Sequence, residues 1–314
     1  LGVAGQRHAA AFKKIDDVAL AAADPAPGAL AAASGLGIRL YPDYTEMVTA
    51  ESLDAVVVSL PHSMLAEAAI ACARQGLHVL VEKPMALTLR DADAVIDAAR
   101  SGGARLMVNF VHRFRAEYRQ AKALIAGGVI GRPAIILDSM TSGQSVMPAW
   151  VWDRAVSGGG MMMYNGVHSI DRLSWLAGSP IRRVSASAGT FSHPVEVEDN
   201  LVGTVEFENG TLGVAIQHKS GTAATLGGWD TTIWGTQGTI KISGGVLEMA
   251  SDKERTRTEV KDDDRFAGAA REFVAAIRDG REPSPGGTDG RRALEAVLGL
   301  YEAAAGHRTV SLQG

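Results

Sequence analysis

The sequence predicts an α/β protein in two parts: a Rossmann-type, doubly wound parallel sheet, then an α+β domain with a large, mainly antiparallel sheet. Two observations predict it. Up to about residue 111, short and almost continuously apolar strands alternate with helical patterns, as in a parallel sheet covered on both faces. Beyond that point strands follow strands, longer and alternating in polarity, as in an antiparallel sheet with one open face. The boundary is set between residues 113 and 114, dividing the chain into 1–113 and 114–314.

In the first part, strands are expected at "LGVAG" (1–5), "VALAAA" (18–23), "DAVVVSL" (54–60), "LHVLVEK" (77–83) and "ARLMVNFV" (104–111). The intervening "HSMLAEAAIACARQG" and "LRDADAVIDAARSGG" read as helices, each closing on a glycine where a C-cap belongs. A helix over about 114–127 opens the second part, and "IGRPAIILDSM" starts its sheet. In "DNLVGTVEFENGTLGVAIQHKS" the "ENG" reads as a hairpin turn, and "TTIWGTQGTIKIS" adds further strand. Two helices, about 265–278 and 289–305, end the chain around a "REPSPGG" loop.

Composition narrows the function classes. The 314 residues are 46% hydrophobic and 21% charged, with net charge −4 and pI about 6.1. That balance gives no broad basic field for nucleic acid or an anionic membrane. No apolar run approaches the ~20 residues of a membrane helix. No signal peptide is visible at Leu1, and Cys72 is the only cysteine, so no disulfide framework and no metal site are expected. A reducing, cytoplasmic setting fits.

Two places carry candidate chemistry on their own residues. A dinucleotide site wants G-x-G-x-x-G in the first strand-to-helix turn, so that backbone amides at a helix start face a pyrophosphate. Here Gly2 and Gly5 are followed by Gln6 and "RHAAAF", which reads as a shortened loop or a plain tight turn. Asp24 ends the second strand 19 residues after Gly5. An acid there accepts the ribose hydroxyls of NAD, or it caps the turn before Pro25. The second place is the set of strand ends, where open α/β sheets present ligands. Ser59-Leu60-Pro61-His62 stands at one and Glu82-Lys83-Pro84 at another. Pro84 keeps Lys83 extended, and an X-Pro bond can be cis.

With these residues, "EAAIACARQGLHVLVEKPMALT", "GGGMMMYNGVHSIDRLSWLAG" and "FENGTLGVAIQHKS" make the chain resemble the Gfo/Idh/MocA family over essentially its whole length. The resemblance implies an NAD- or NADP-dependent oxidoreductase moving a hydride between nicotinamide and a hydroxyl or carbonyl carbon of a sugar, cyclitol or related polyol. NAD is expected over NADP because of Asp24. It implies that Lys83 lies beside nicotinamide and the reacting oxygen, that His168 is acid/base there, and that Arg113 lies near cofactor or substrate. It also implies a dinucleotide-binding first domain, and a second domain that binds substrate and makes a homodimer or homotetramer. Alcohol oxidation passes a hydride to nicotinamide and a proton to a base, either Lys83 or His168.

The family pattern is broken in three places. The glycine loop reads about five residues short before His8, so residues are expected to be missing between Gly5 and His8. Leu65 stands where the family's P-x-x-x-H has histidine. Tyr164 stands for the acid of D-x-G-x-H, four residues before His168, and Asn165 follows it. One helical turn apart, 164 and 168 would share a face, so the phenol is a candidate third catalytic group. Trp150, Trp152, Asp153 and Arg154 read either as a substrate loop, with aromatic faces for sugar C–H groups, or as an anchored loop. A truly short first loop would favour a catalytically inactive nucleotide- or sugar-binding regulator. A reductase of a non-sugar carbonyl or imine is the other alternative.

Overall fold

A computed structural model describes residues 1–143, 147–261 and 264–313. The first strands are short and parallel. β1 (Ala21–Ala23) pairs with β2 (Arg39–Tyr41), and β3 (Ala55–Val58), β4 (His78–Val81) and β5 (Leu106–Val108) form a second parallel group in that order. Helices α1 (Val3–Phe12), α2 (Ala29–Leu36), α3 (Tyr44–Ala50), α4 (His62–Arg74) and α5 (Leu89–Ser101) alternate with them. The triplet Val79, Leu80, Val81 is fully buried, which explains the unbroken apolar run into Glu82.

The expectation that "LGVAG" is the first strand is wrong. Val3–Phe12 is one helix with Gly2 at its N-cap, and the Gln6 amide donates to the Gly2 carbonyl at 3.0 Å. The helix runs unbroken through residues 5–8, so the expectation of missing residues there is also wrong. Gly2, Gly5 and His8 instead fall at the spacing of the last three fixed positions of G-x-G-x-x-G-x-x-H. The strand β2 and helices α2 and α3 had no place in the sequence reading. Three residues beginning with an exposed Arg39 leave almost no periodic signal.

The second part follows the prediction. Helix α6 (Ala116–Ala126) leads into β6 (Pro133–Ser142), β7 (Ile181–Gly189), β8 (Asn200–Phe207), β9 (Leu212–Lys219), β10 (Trp229–Gly235), β11 (Gly238–Ser243), β12 (Val246–Ser251) and β13 (Arg255–Glu259). With β14 (Val310–Ser311) they form a nine-stranded sheet in the order β13-β12-β11-β10-β6-β9-β8-β7-β14. Only β6–β9 is parallel among these pairs; β8–β9 is the expected hairpin. On β8, Leu201, Val205 and Phe207 point into the core while Val202 points out.

Between β6 and β7 lie the short helix α7 (Arg154–Ser157), a π turn (Met162–Gly166) and α8 (Val167–Ala177). Helices α8 and α10 (Gly287–Gly306) cover the inner face, and a side chain at Gly203 would collide with Leu300 of α10. Helix α9 (Arg265–Arg278) returns to the first part: Phe273 meets Phe12 edge-on at 6.5 Å, in a cluster with Leu80, Met107 and Val111. Among the described residues, no helix is long and apolar enough to cross a membrane.

Candidate active site

The ends of β3, β4 and β5 converge with the start of α1 and the π turn. At the β4 end, Glu82 accepts from Asn109 Nδ2 at 2.6 Å and lies 2.8 Å from His8 Nε2. Burial pushes its carboxyl up, but His8, Lys83 and Asn109 together hold it below the usual range, so Glu82 is ionised at neutral pH. His8 thereby ties the glycine-bearing helix to the Glu82-Lys83-Pro84 corner, whose Lys83–Pro84 bond is cis. Asn109 and His8 were not among the expected site residues, although both lie inside quoted motifs.

Lys83 donates to the Tyr164 carbonyl at 2.7 Å, and its ammonium stands 5.0 Å from the Tyr164 ring centroid. Burial lowers its pKa, opposed by the Glu82 charge. The Tyr164 phenol is raised by burial and stays protonated. The phenol ring stacks on His62 at 5.9 Å and meets Trp150 at 5.9 Å; Trp150 in turn meets His62 at 4.8 Å. His62 Nδ1 lies 2.8 Å from the Ser157 carbonyl, which fixes its proton on Nδ1. Burial and then Lys83 depress its pKa to about 4. Ser59, Leu60 and Pro61 precede it, Pro61 being the N-cap of α4.

His168 faces other neighbours. Its ring stacks on His112 at 4.5 Å, meets Phe110 edge-on at 5.9 Å and lies 5.9 Å from Trp229. Burial, then Lys83, Arg172 and Arg265, hold it well below the usual histidine range. Its Nδ1 is buried with no hydrogen-bond partner among the described residues. His112 accepts from Arg172, and Arg172 forks onto Asp138 at 2.6 and 2.9 Å with both side chains fully buried. His112, Trp229 and Arg172 were missed. His112 adjoins the expected Arg113, but no local pattern reveals which of the two faces the site.

The expected sharing of a face by Tyr164 and His168 does not occur: no ring contact or hydrogen bond joins them among the described residues. A π turn bonds i to i+5, so it widens the helix and breaks the i,i+4 alignment. Asn165 sits half-buried in the same turn. Arg113 is also not where it was expected. Its guanidinium grips Asp171 through Nε and Nη2, at 2.5 to 3.1 Å, and reaches Asp289 at 2.9 Å. It lines a separate cavity of about 260 Å³ with Lys122, Asp171, Trp175 and Asp289. The substrate-loop residues divide. Trp150 joins the site, whereas Trp152 stacks on His193 at 4.9 Å and Asp153 caps α7 through the Ala155 amide at 2.9 Å.

The start of α1 suits a dinucleotide. No side chain caps it, and a Cβ at Gly2 would meet nothing within 4 Å, which leaves its amides open to a phosphate. Gln6 is turned back onto the Leu1 carbonyl at 2.8 Å, and Gly5 lies in the helix. Asp24 follows β1 beside the backbone nitrogen of residue 1, with one oxygen also accepting from the Ala26 amide at 2.8 Å. Asp24 thus closes its own turn, as the capping reading expected, and stands beside the residue that leads into the glycine-bearing helix.

A parallel sheet with ligand-facing strand ends, an open helix start and a buried lysine at one strand end fit a nicotinamide-dependent oxidoreductase. The comparisons with known proteins agree. Residues 1–110 match the oxidoreductase family with an NAD-binding Rossmann fold, and residues 118–241 match the GFO/IDH/MocA C-terminal domain. The chain belongs to the Gfo/Idh/MocA family of NAD-binding oxidoreductases. It is similar to myo-inositol 2-dehydrogenase of Thermotoga maritima, 26% identical over 100% of this chain and 97% of that protein. It is also similar to 1,5-anhydro-D-fructose reductase of Ensifer adhaerens, 29% identical over 88% of this chain and 85% of that one. In fold it matches a levoglucosan dehydrogenase solved with NADH and levoglucosan, with TM-score 0.89 at 23% identity, covering 100% and 97% of the two chains.

Proposed function

We propose that the chain oxidises a hydroxyl of a sugar, cyclitol or related polyol with NAD, using Lys83 and His168 at the reacting oxygen. The observation that carries this is the buried Glu82-Lys83-Pro84 corner at the β4 end, where Lys83 bonds the Tyr164 carbonyl at 2.7 Å in the turn that leads into His168. When bound, NAD supplies the hydride acceptor. The amides opening α1 and the Asp24 carboxylate would hold its pyrophosphate and adenosine ribose.

Lys83 then binds and polarises the substrate oxygen, exchanging part of its bond to the Tyr164 carbonyl for one to substrate. His168 takes the hydroxyl proton, and with Nδ1 buried its Nε2 is the nitrogen available. Trp150 and Trp229 offer apolar faces on the two sides of the group. Relatives named for inositol and 1,5-anhydrofructose support the substrate class.

The same proposal includes the division at 113/114, a cytoplasmic setting and a homodimer or homotetramer formed through the open sheet face. The test is a polyol panel with NAD and NADP, monitored for reduced nicotinamide. Turnover with at least one cyclic polyol, and preference for NAD because a 2′-phosphate is repelled by Asp24, are expected. Absence of turnover across neutral and acidic polyols with both cofactors would overturn the reading.

A further inference from the structure

The triple glycine Gly158-Gly159-Gly160 precedes the helical segment that carries both Tyr164 and His168. Its first internal bond runs from the Tyr164 amide to the Gly160 carbonyl at 2.9 Å, which leaves the amides of Gly160, Met161, Met162 and Met163 without partners in the helix. All four are satisfied from outside, by two residues. The Glu198 carboxylate accepts from Gly160 and from Met162, each at 2.8 Å, and the Glu198 carbonyl accepts from Met161 at 3.0 Å. The Tyr301 hydroxyl accepts from Met163 at 3.0 Å and donates to Glu198 Oε1 at 2.8 Å. Glu198 comes from the segment before β8 and Tyr301 from α10.

The glycines follow from this. A Cβ on Gly159 would collide with the Tyr301 ring, and one on Gly160 with the backbone carbonyl of Glu198. The motif therefore exists so that a carboxylate and a phenol from elsewhere can reach the helix start. A negative charge there also suits the helix dipole.

Resting on the proposed dehydrogenase reading, we propose that Glu198 and Tyr301 are positioning residues. They fix the helix start so that the Tyr164 carbonyl meets the Lys83 ammonium and His168 faces the reacting oxygen. Among the described residues, no hydrogen bond or ring contact joins either of them to Lys83 or His168. Their effect passes through one turn of backbone, and Lys83 reads it out through its 2.7 Å bond. Displacing a positioned group by about 1 Å can cost ~10²-fold in rate.

Two measurements on Tyr301→Phe test this, with Glu198→Gln and Glu198→Ala as a graded pair. The first is steady-state turnover of the best polyol of the panel. In Tyr301→Phe, kcat should fall by roughly tenfold or more, with the KM for NAD unchanged, because the helix start is displaced while α1 and Asp24 are not. Glu198→Gln, which keeps one carbonyl acceptor, should retain more activity than Glu198→Ala. The second measurement needs no turnover: labelling of Lys83 by an amine-reactive reagent at fixed pH, followed by peptide mass spectrometry. A carbonyl held on the ammonium favours the charged, unreactive form, so releasing it should speed labelling in Tyr301→Phe.

A folded Tyr301→Phe protein with kcat within about twofold of wild type, or with unchanged Lys83 labelling, overturns the proposal. If the Glu198 variants do not fold, Tyr301→Phe alone decides. If the wild type turns over no polyol, the dehydrogenase reading fails, and the labelling arm still decides whether the two residues set the lysine.

Discussion

Burial holds His62, His112 and His168 below the usual histidine range, helped next by Lys83 at His62 and His168 and by His168 and Arg172 at His112. This gives the residue scale a pH signature. His62 titrates near 6.5 unfolded and near 4 in the fold, so between those values the unfolded chain binds the extra proton. Stability should therefore fall as pH drops from about 6.5 to about 4, by roughly 3 kcal/mol from His62 alone, because each pKa unit is worth ~1.4 kcal/mol. Urea midpoints across that range check it, and His62→Asn, whose Nδ2 keeps a donor near Nδ1 for the Ser157 carbonyl, should flatten the slope. In catalysis, His168→Ala should cost about 10²–10⁴-fold in kcat with NAD still bound. Tyr164→Phe should be close to silent, since Lys83 uses the carbonyl and the ring of residue 164, both of which Phe keeps. A loss matching that of His168→Ala would return the phenol to proton transfer. Lys83 was legible because a buried strand delivers it and Pro84 fixes its backbone. Arg113 was not, because Asp171 and Asp289, which claim it, lie 58 and 176 residues away.

At the scale of elements, long periodic helices and the alternating strands of the large sheet were readable because burial repeats along them. The exceptions have physical reasons. Residues 1–5 look like strand by apolarity, yet glycines at an uncapped helix start serve an amide-lined turn equally well. The π turn has no sequence signature of its own, so the rotation between 164 and 168 was invisible. The link between sheet and site was invisible too. Asp138 on β6 accepts from Thr231 Oγ1 on β10 at 2.7 Å and holds Arg172 of α8, which reaches His112 beside His168. Breaking a buried pair leaves an uncompensated charge, so Arg172→Met should destabilise by about 3–5 kcal/mol, read as a lower urea midpoint. Simultaneous Asp138→Leu should recover part of that loss. Equal loss in the double variant would show that packing around Arg172, rather than charge, sets the cost.

Over the whole molecule, the large sheet leaves apolar side chains on its outer face. Ile135, Val202, Leu212 and Trp234 are each between 41% and 51% exposed, on four different strands. A patch of that kind fits the proposed assembly through the open sheet face. The double variant Val202→Glu/Leu212→Glu should lower the mass measured by light scattering to that of a single chain while leaving the thermal transition cooperative. A native protein that is already monomeric would refute sheet-mediated assembly.

The return of α9 to the first part has a consequence for the order of synthesis. Phe12, Leu80, Met107 and Val111 bury one side of their cluster under Ala267, Ala270 and Phe273. A ribosome that has delivered residues up to 113 has therefore delivered β1 to β5, but not the helix that shields their apolar side. That cluster waits open until about residue 278 emerges, by which time eight of the nine strands of the large sheet have been made. The nascent first part thus stays exposed to proteases and chaperones on that side until α9 is made. Chains stopped before Arg265 should stay in that condition, however complete their parallel strands.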